Sequence, residues 1–350
     1  MDLLKTINVY RRKITKGLTK NIGNSNFKHN AGFRDSDKIK KILISRPNHR
    51  LGNLLLITPL VQEVVATFPN CEIDLYVKGG LAPIIFKNYE NINCIIELPK
   101  KPFKNIVEYF NVWIKIKRKQ YEIVINVDEN SSSGRLSTQL ANAKYKYFGE
   151  IDNDIQSKYK DHEHIAKYPI YGFRDFLNKI GFKKNDNKIP SLNLKLSAAE
   201  VSEGRKIIQK LVNNNKKTIS VFTFATGDKC YSEFWWNEFY NRLKTEFKEY
   251  NIIEVLPVEN VSQIGFKAPT FYSKNIREIG SVIAGTDVFI GADSGIMHLA
   301  NASQTPTVGL FSRANKKKYQ PYNNDSQAIN TNNTDINDWI KIIDCILLKK

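Results

Sequence analysis

Cysteine, acidic side chains and long apolar runs are all scarce in this chain. Its four cysteines, Cys71, Cys94, Cys230 and Cys345, stand too far apart for any CxxC pair. That argues against a zinc site and a disulfide framework, and points to a reducing cytoplasm. No stretch reaches the roughly 18 consecutive apolar residues a membrane-spanning helix needs. The most apolar one, Leu54 to Ala66, is interrupted by Thr58, Pro59, Gln62 and Glu63. The basic N-terminus is not followed by an apolar segment with a small-residue cleavage site, so it does not read as a secretory signal. Acids are outnumbered 35 to 53 by Lys and Arg, a formal net charge of +18. Such a surface attracts something anionic: nucleic acid, an acidic membrane face or a phosphorylated small molecule.

What is present suffices for two domains. With 350 residues, 41% of them hydrophobic, the chain can bury a substantial core. Residues 1–38 form a basic lead in which Leu3, Leu4, Ile7, Ile14 and Leu18 recur at near-helical spacing among Lys and Arg. The pattern suits an amphipathic helix lying on a membrane surface, and equally a solvated tail or a helix packed on the body. NIGNSNFKHNAG then reads as linker. From Lys41 onward short apolar runs alternate with helical periods: KILISR, LLLITPLVQEVVATF, EIDLYV, CIIEL, the stretch 103–119 and YEIVINV. A second series follows the polar stretch 183–188: a helical period over 197–212, then TISVFTFA, a helix over 235–247 and IIEVLPV. It continues with a helix over 276–284, DVFIGAD, a helix over 295–302 and PTVGLF. Strand–helix alternation implies parallel sheets, hence two doubly wound α/β units over 39–185 and 186–350. Ligands of such sheets bind beyond the carboxyl ends of the strands, which selects the loops after Ser45, Val127, Phe224 and Ala292.

Two loops carry the chemical signal. RPNHRLGN (Arg46–Asn53) follows the first strand and opens into a helix, so Gly52 and Asn53 stand near a helix N-terminus where backbone N–H groups can face an anion. The loop has neither the GxGxxG of dinucleotide binding nor GxxxxGK[ST], which disfavours a P-loop NTPase. In the other, GADSGIMHLANASQTPTVGLF, Ser294 and Gly295 sit where helix amides can hold a diphosphate. Asp293 reads as an acceptor of sugar hydroxyls or as a helix cap, and His298 as a ligand contact or an ordinary helix histidine.

Taken together, KILISRPNHRLGNLLLITPLVQEV and GADSGIMHLANASQTPTVGLF closely resemble the two signatures of glycosyltransferase family 9, the lipopolysaccharide heptosyltransferases. FPNCEIDLYV and the trio Trp235, Glu238 and Leu243 add to the match, which spans about 41–322 in the right order. The resemblance implies a GT-B fold of two Rossmann-like domains facing across a cleft, the acceptor bound by the N-terminal one, with Arg46 and Gly52 in its loop, and the nucleotide-sugar donor by the C-terminal one. It implies an inverting, metal-independent transfer with no cofactor, by default of heptose from ADP-heptose, onto an anionic glycolipid such as the lipopolysaccharide core. The setting would be the cytoplasmic face of the inner membrane, with residues 1–38 in peripheral contact. Lys229, in ATGDKCYS, is the candidate cation for the diphosphate, alongside Asp293, Ser294, Gly295 and His298.

One departure stands out. Where the family carries its usual catalytic Asp, this chain has Asn53, and an amide takes no proton at neutral pH. Asp128 ranks first as base because it matches an acidic residue that the family often carries at this point, although it also reads as the cap of a Ser-rich turn, with Glu129 and His49 as alternatives. A non-catalytic nucleotide-sugar binder is the second reading. A nucleic-acid-binding protein is the third, but no motif supports it and no nucleic-acid partner is expected. Asp152-Asn153-Asp154 has the DxD spacing of metal-dependent transferases but follows no apolar strand. His162 and His164 have no third ligand nearby and read as a solvated loop.

Overall fold

The computed structural model describes residues 22–25, 38–100, 105–312 and 315–349. The basic helix anticipated within 1–38 falls almost entirely outside them. By internal contacts the chain divides into two units. The first takes residues up to His49, Pro59–Pro83 and Tyr89–Pro190; the second takes Arg50–Thr58, Ile84–Asn88 and Ser191–Lys350.

The first unit is built on a wholly parallel sheet of β1 (Lys41–Ser45), β2 (Glu72–Lys78), β3 (Ile92–Leu98), β4 (Gln120–Asn126) and β5 (Asn142–Tyr147), in the order β3-β2-β1-β4-β5. Its central strands are near-continuous apolar runs because helices cover both faces. The order reverses between β1 and β4, where Ser45 pairs with Asn126, so the loops carrying Arg46 and Asp128 leave the sheet side by side.

Local rules explain three differences from the sequence reading. LLLITPLVQEVVATF was expected to be one helix; it is two, Leu51–Leu55 and Thr58–Thr67. Pro59 has no N–H for the carbonyl of Leu55, and the Thr58 hydroxyl donates to that carbonyl instead, at 2.7 Å. Part of the expected linker is docked: Ser25 Oγ accepts from the Phe148 N–H at 2.9 Å, and the Arg135 guanidinium donates to the carbonyls of Ile22 and Gly23. His164 is buried, not solvated, and its Nδ1 accepts from the Ala166 N–H at 3.2 Å.

The second unit carries β6 (Thr218–Phe222), β7 (Asn251–Val255), β8 (Thr270–Phe271), β9 (Val288–Ala292), β10 (Thr307–Phe311) and β11 (Gln327–Asn330). All are parallel, in the order β11-β10-β9-β6-β7-β8. One face is filled by Trp236, Phe239 and Leu243 of the helix Glu233–Glu246 and by Trp339 and Ile343 of Ile336–Leu348. The order reverses between β6 and β9, so the loops after Phe222 and Ala292, which hold Lys229 and Asp293, flank the switch point of this sheet.

Candidate functional site

At the carboxyl ends of β6, β7 and β9 the second unit holds a cavity of about 790 Å³. Its wall includes Arg50, Gly52 and Asn53 of the first loop, Ala225 to Lys229 of the second, and Asp293, Ser294, Gly295 and His298 of the third. All belong to this unit, since Arg50–Thr58 is counted with it. A volume of this order holds a small organic ligand.

The third loop is organised around a helix start. Ser294, not Asp293, is the cap of the helix Gly295–Ala302: its hydroxyl accepts from the Met297 N–H at 3.2 Å. This removes the helix-cap reading of Asp293. Buried at 7% exposure, its carboxylate turns instead to Lys229, whose ammonium lies 2.5 Å from Oδ2. Lys229 stays partly exposed and also lies 5.5 Å from the centroid of the Tyr319 ring. The amides of Gly295 and Ile296, in the helix's first turn, have no acceptor within the helix and belong to residues lining the cavity. A lysine held by a buried carboxylate, beside the positive end of a helix, is an arrangement suited to a phosphate group.

Gly52 is explained by packing. A Cβ built on it would lie 2.8 Å from Cδ2 of His298 and 3.5 Å from Cα of Gly295. The helix Leu51–Leu55 thus approaches the helix Gly295–Ala302 closely enough that neither glycine has room for a larger residue; a Cβ on Gly295 would meet Leu51 Cβ at 3.3 Å. His298 is 5% exposed, with its ring 6.1 Å from that of Tyr319, so it serves as a packed wall residue.

Several wall residues were not anticipated from the sequence: Pro257, Glu259, Lys274 and Tyr319. Pro257 and Glu259 lie in the loop after β7, which is held by Glu254 near the end of that strand. This fully buried carboxylate accepts from the hydroxyls of Thr223 and Ser262, each at 2.6 Å, and so ties the loop after β6 to the loop after β7. Burial raises its pKa above the ordinary value, with the two hydroxyls opposing. Nothing in the sequence marks Glu254 except an acid inside an apolar strand.

The remaining candidates lie in the first unit. Asp128 Oδ2 accepts from Arg46 Nη1 at 2.7 Å, and its Oδ1 accepts from the Asn130 N–H at 3.1 Å. Arg46 is buried, so this pair fixes the carboxylate in a defined orientation while the Asp128 side chain remains 39% exposed. The cap of the helix Ser132–Leu140 is Ser131, while Asp128 caps the turn before it through the Asn130 N–H, as the turn reading had it. His49 is exposed. Asp152 pairs with Lys179, and His162 Nδ1 lies 2.8 Å from the Tyr159 carbonyl. Among the described residues no three His, Cys, Asp or Glu side chains converge as a metal site would require.

Comparison with known proteins extends this picture. The family model described as "Glycosyltransferase family 9 (heptosyltransferase)" matches residues 273–339, which include Asp293, Ser294, Gly295, His298 and Tyr319 but not Asn53. A lipopolysaccharide core heptosyltransferase, OpsX of Haemophilus influenzae, is 22% identical over 297 residues, covering 78% of this chain and 80% of that one. The crystal structure of a glycosyl transferase family 9 protein from Veillonella parvula superposes with a TM-score of 0.71 at 16% identity, covering 91% of this chain and 99% of the other. Heptosyltransferase WaaC of E. coli, solved with ADP, superposes with a TM-score of 0.63 at 15% identity over 87% and 99%. The two parallel α/β units are the GT-B fold. With the signature around Asp293 in place, the chain is a glycosyltransferase similar to those of family 9, the heptosyltransferases.

Proposed function

We propose that the chain transfers a sugar, by default heptose from ADP-heptose, to a lipopolysaccharide-core or related anionic glycolipid acceptor, with inversion at the anomeric carbon and without a metal. The observation that carries this reading is the Lys229–Asp293 pair beside the first turn of the helix Gly295–Ala302, in a cavity of nucleotide-sugar size. In the reaction the acceptor hydroxyl attacks the anomeric carbon as the bond to the diphosphate breaks. The charge that develops on the departing diphosphate meets Lys229 and the amides of Gly295 and Ile296. Asp293, buried and fixed, keeps Lys229 at the wall, so little reorganisation is needed as that charge appears.

Asn53 orients by hydrogen bonding and removes no proton. We assign the base to Asp128, whose carboxylate Arg46 and Asn130 hold in place. The test is a transfer assay with ADP-heptose and a lipopolysaccharide-core acceptor, the anomeric configuration of the product being read by NMR. Inverted product is expected, and retained configuration would overturn the single-displacement mechanism. Asn53 also favours a second reading, a nucleotide-sugar binder without turnover. Saturable donor binding with no product would establish that one.

A further inference from the structure

The helix Ile106–Arg118 of the first unit has two apolar faces where its packing requires one. Val112 and Ile116 are buried and, with Tyr109 and Trp113, pack against Tyr76 and Ile96 of the sheet. That face accounts for the helix's place in the fold. Yet Ile106, Val107, Phe110 and Ile114 are exposed, Val107 at 75% and Phe110 at 61%. At about 100° per residue these four fall within an arc of about 100° that lies beside the buried stripe. Of the other exposed large hydrophobics among the described residues, Val258, Val261, Phe266 and Tyr272 lie on loops of the second unit and the rest stand singly, whereas these four share one helix. Charge is placed around it in a definite way. Lys115, Lys117 and Arg118 crowd the last turn, and all three are exposed. The single acid of the helix, Glu108, lies at its other end and accepts from Asn105.

We infer that this face is a membrane-docking surface, seated on an anionic lipid bilayer with its apolar strip in the headgroup–acyl boundary and its basic last turn on the lipid phosphates. An apolar arc with cations at its rim is what an interfacial helix presents to such a surface. Charge also decides among occupants. The chain's own basic lead, with Lys5, Arg11, Arg12, Lys13, Lys16 and Lys20, would bring like charge against Lys115, Lys117 and Arg118, as would a second copy of a chain with net charge +18. A bilayer bearing negative headgroups matches both features. The inference rests on the proposed lipid-linked acceptor, which would hold the reaction at such a surface.

The test is flotation of the full chain with vesicles of phosphatidylglycerol and phosphatidylethanolamine, against vesicles of phosphatidylcholine alone. A triple variant, V107E/F110E/I114E, is compared with the unaltered chain; all three positions are exposed, so the variant should melt where the parent does. Expected are binding to the anionic vesicles at least tenfold stronger than to phosphatidylcholine, and a loss of at least tenfold in the variant. Unchanged flotation of the variant would overturn the proposal, whether residues 1–21 cover the strip or carry the binding themselves. So would a parent dimer that the variant dissociates, since the strip would then join two copies. ADP titration of both proteins in the absence of lipid is read separately. A parent that floats as expected but binds no nucleotide would sink the proposed function and leave the docking surface standing.

Discussion

Lys229 already holds an anion before any ligand arrives: the carboxylate of Asp293, 2.5 Å away and 8% exposed. Removing the two partners should therefore have unequal effects. Lys229→Met leaves Asp293 buried without its cation beside an incoming diphosphate, so nucleotide affinity should fall by about 2 to 3 kcal/mol. The double variant K229M/D293N should recover part of that loss, because the repelling charge goes too. Titration calorimetry with ADP around the double-mutant cycle measures the coupling, and strictly additive losses would show that the pair does not act as a unit. The same scale holds the question of the base. Asp128→Asn should lower turnover by roughly a hundredfold with donor affinity nearly unchanged, whereas Asn53→Asp should leave the rate unchanged or lower it. Full activity in Asp128→Asn would pass the role to His49. Much of the cavity wall was legible from residues, since Lys229, Asp293, Ser294 and Gly295 sit where strand ends and a helix start were expected. The role of Asp293 was not legible: a strand-end Asp before Ser-Gly reads equally as a cap, and only the partner chosen by Ser294 separates the readings.

Elements place these residues through contacts that leave no space to spare. Gly52→Ala would put a methyl within 2.8 Å of the His298 ring, so the helices Leu51–Leu55 and Gly295–Ala302 must part. The expected cost is about 1 to 3 kcal/mol of stability together with weaker nucleotide binding, read by thermal melting with and without ADP. An unchanged melting temperature would mean the ring yields at no cost. A second element-scale device is the capping box of the helix Ala198–Val212, where Glu200 serves Ser197 and also the buried Arg277. The Arg277 guanidinium, foremost, lowers the Glu200 carboxyl from 4.5 to about 2. A depressed folded pKa contributes stability that is complete above the ordinary value and is lost as pH falls through the folded one. Stability of the parent should therefore drop by about 2 to 3 kcal/mol between roughly pH 5 and pH 2 from this group, and Glu200→Gln should remove that portion of the acid sensitivity. Denaturant melts across that range check it. Continuous apolar runs made the central strands readable, and helical periodicity did the same for the helix Ile276–Ala284. The edge strand β5, NAKYKY, was not, because its apolar side is supplied by the tyrosines Tyr145 and Tyr147 between lysines and asparagine.

For the molecule as a whole, the formal charge of +18 and a switch point in each sheet suit the proposed transfer from an anionic donor to an anionic acceptor. Charge alone left nucleic acid open as a partner, and the match to the family 9 model and to curated relatives turned the reading toward a transferase. Among the described residues no helix is long and apolar enough to cross a membrane. The central claim is that the cavity lined by Lys229, Asp293 and the helix Gly295–Ala302 holds the donor. Its most direct test is titration calorimetry of the full chain with ADP-heptose, repeated on Lys229→Met. Saturable one-to-one binding, weakened at least tenfold in the variant, is the predicted result. Binding of equal strength in both proteins, or none in the parent, would contradict it.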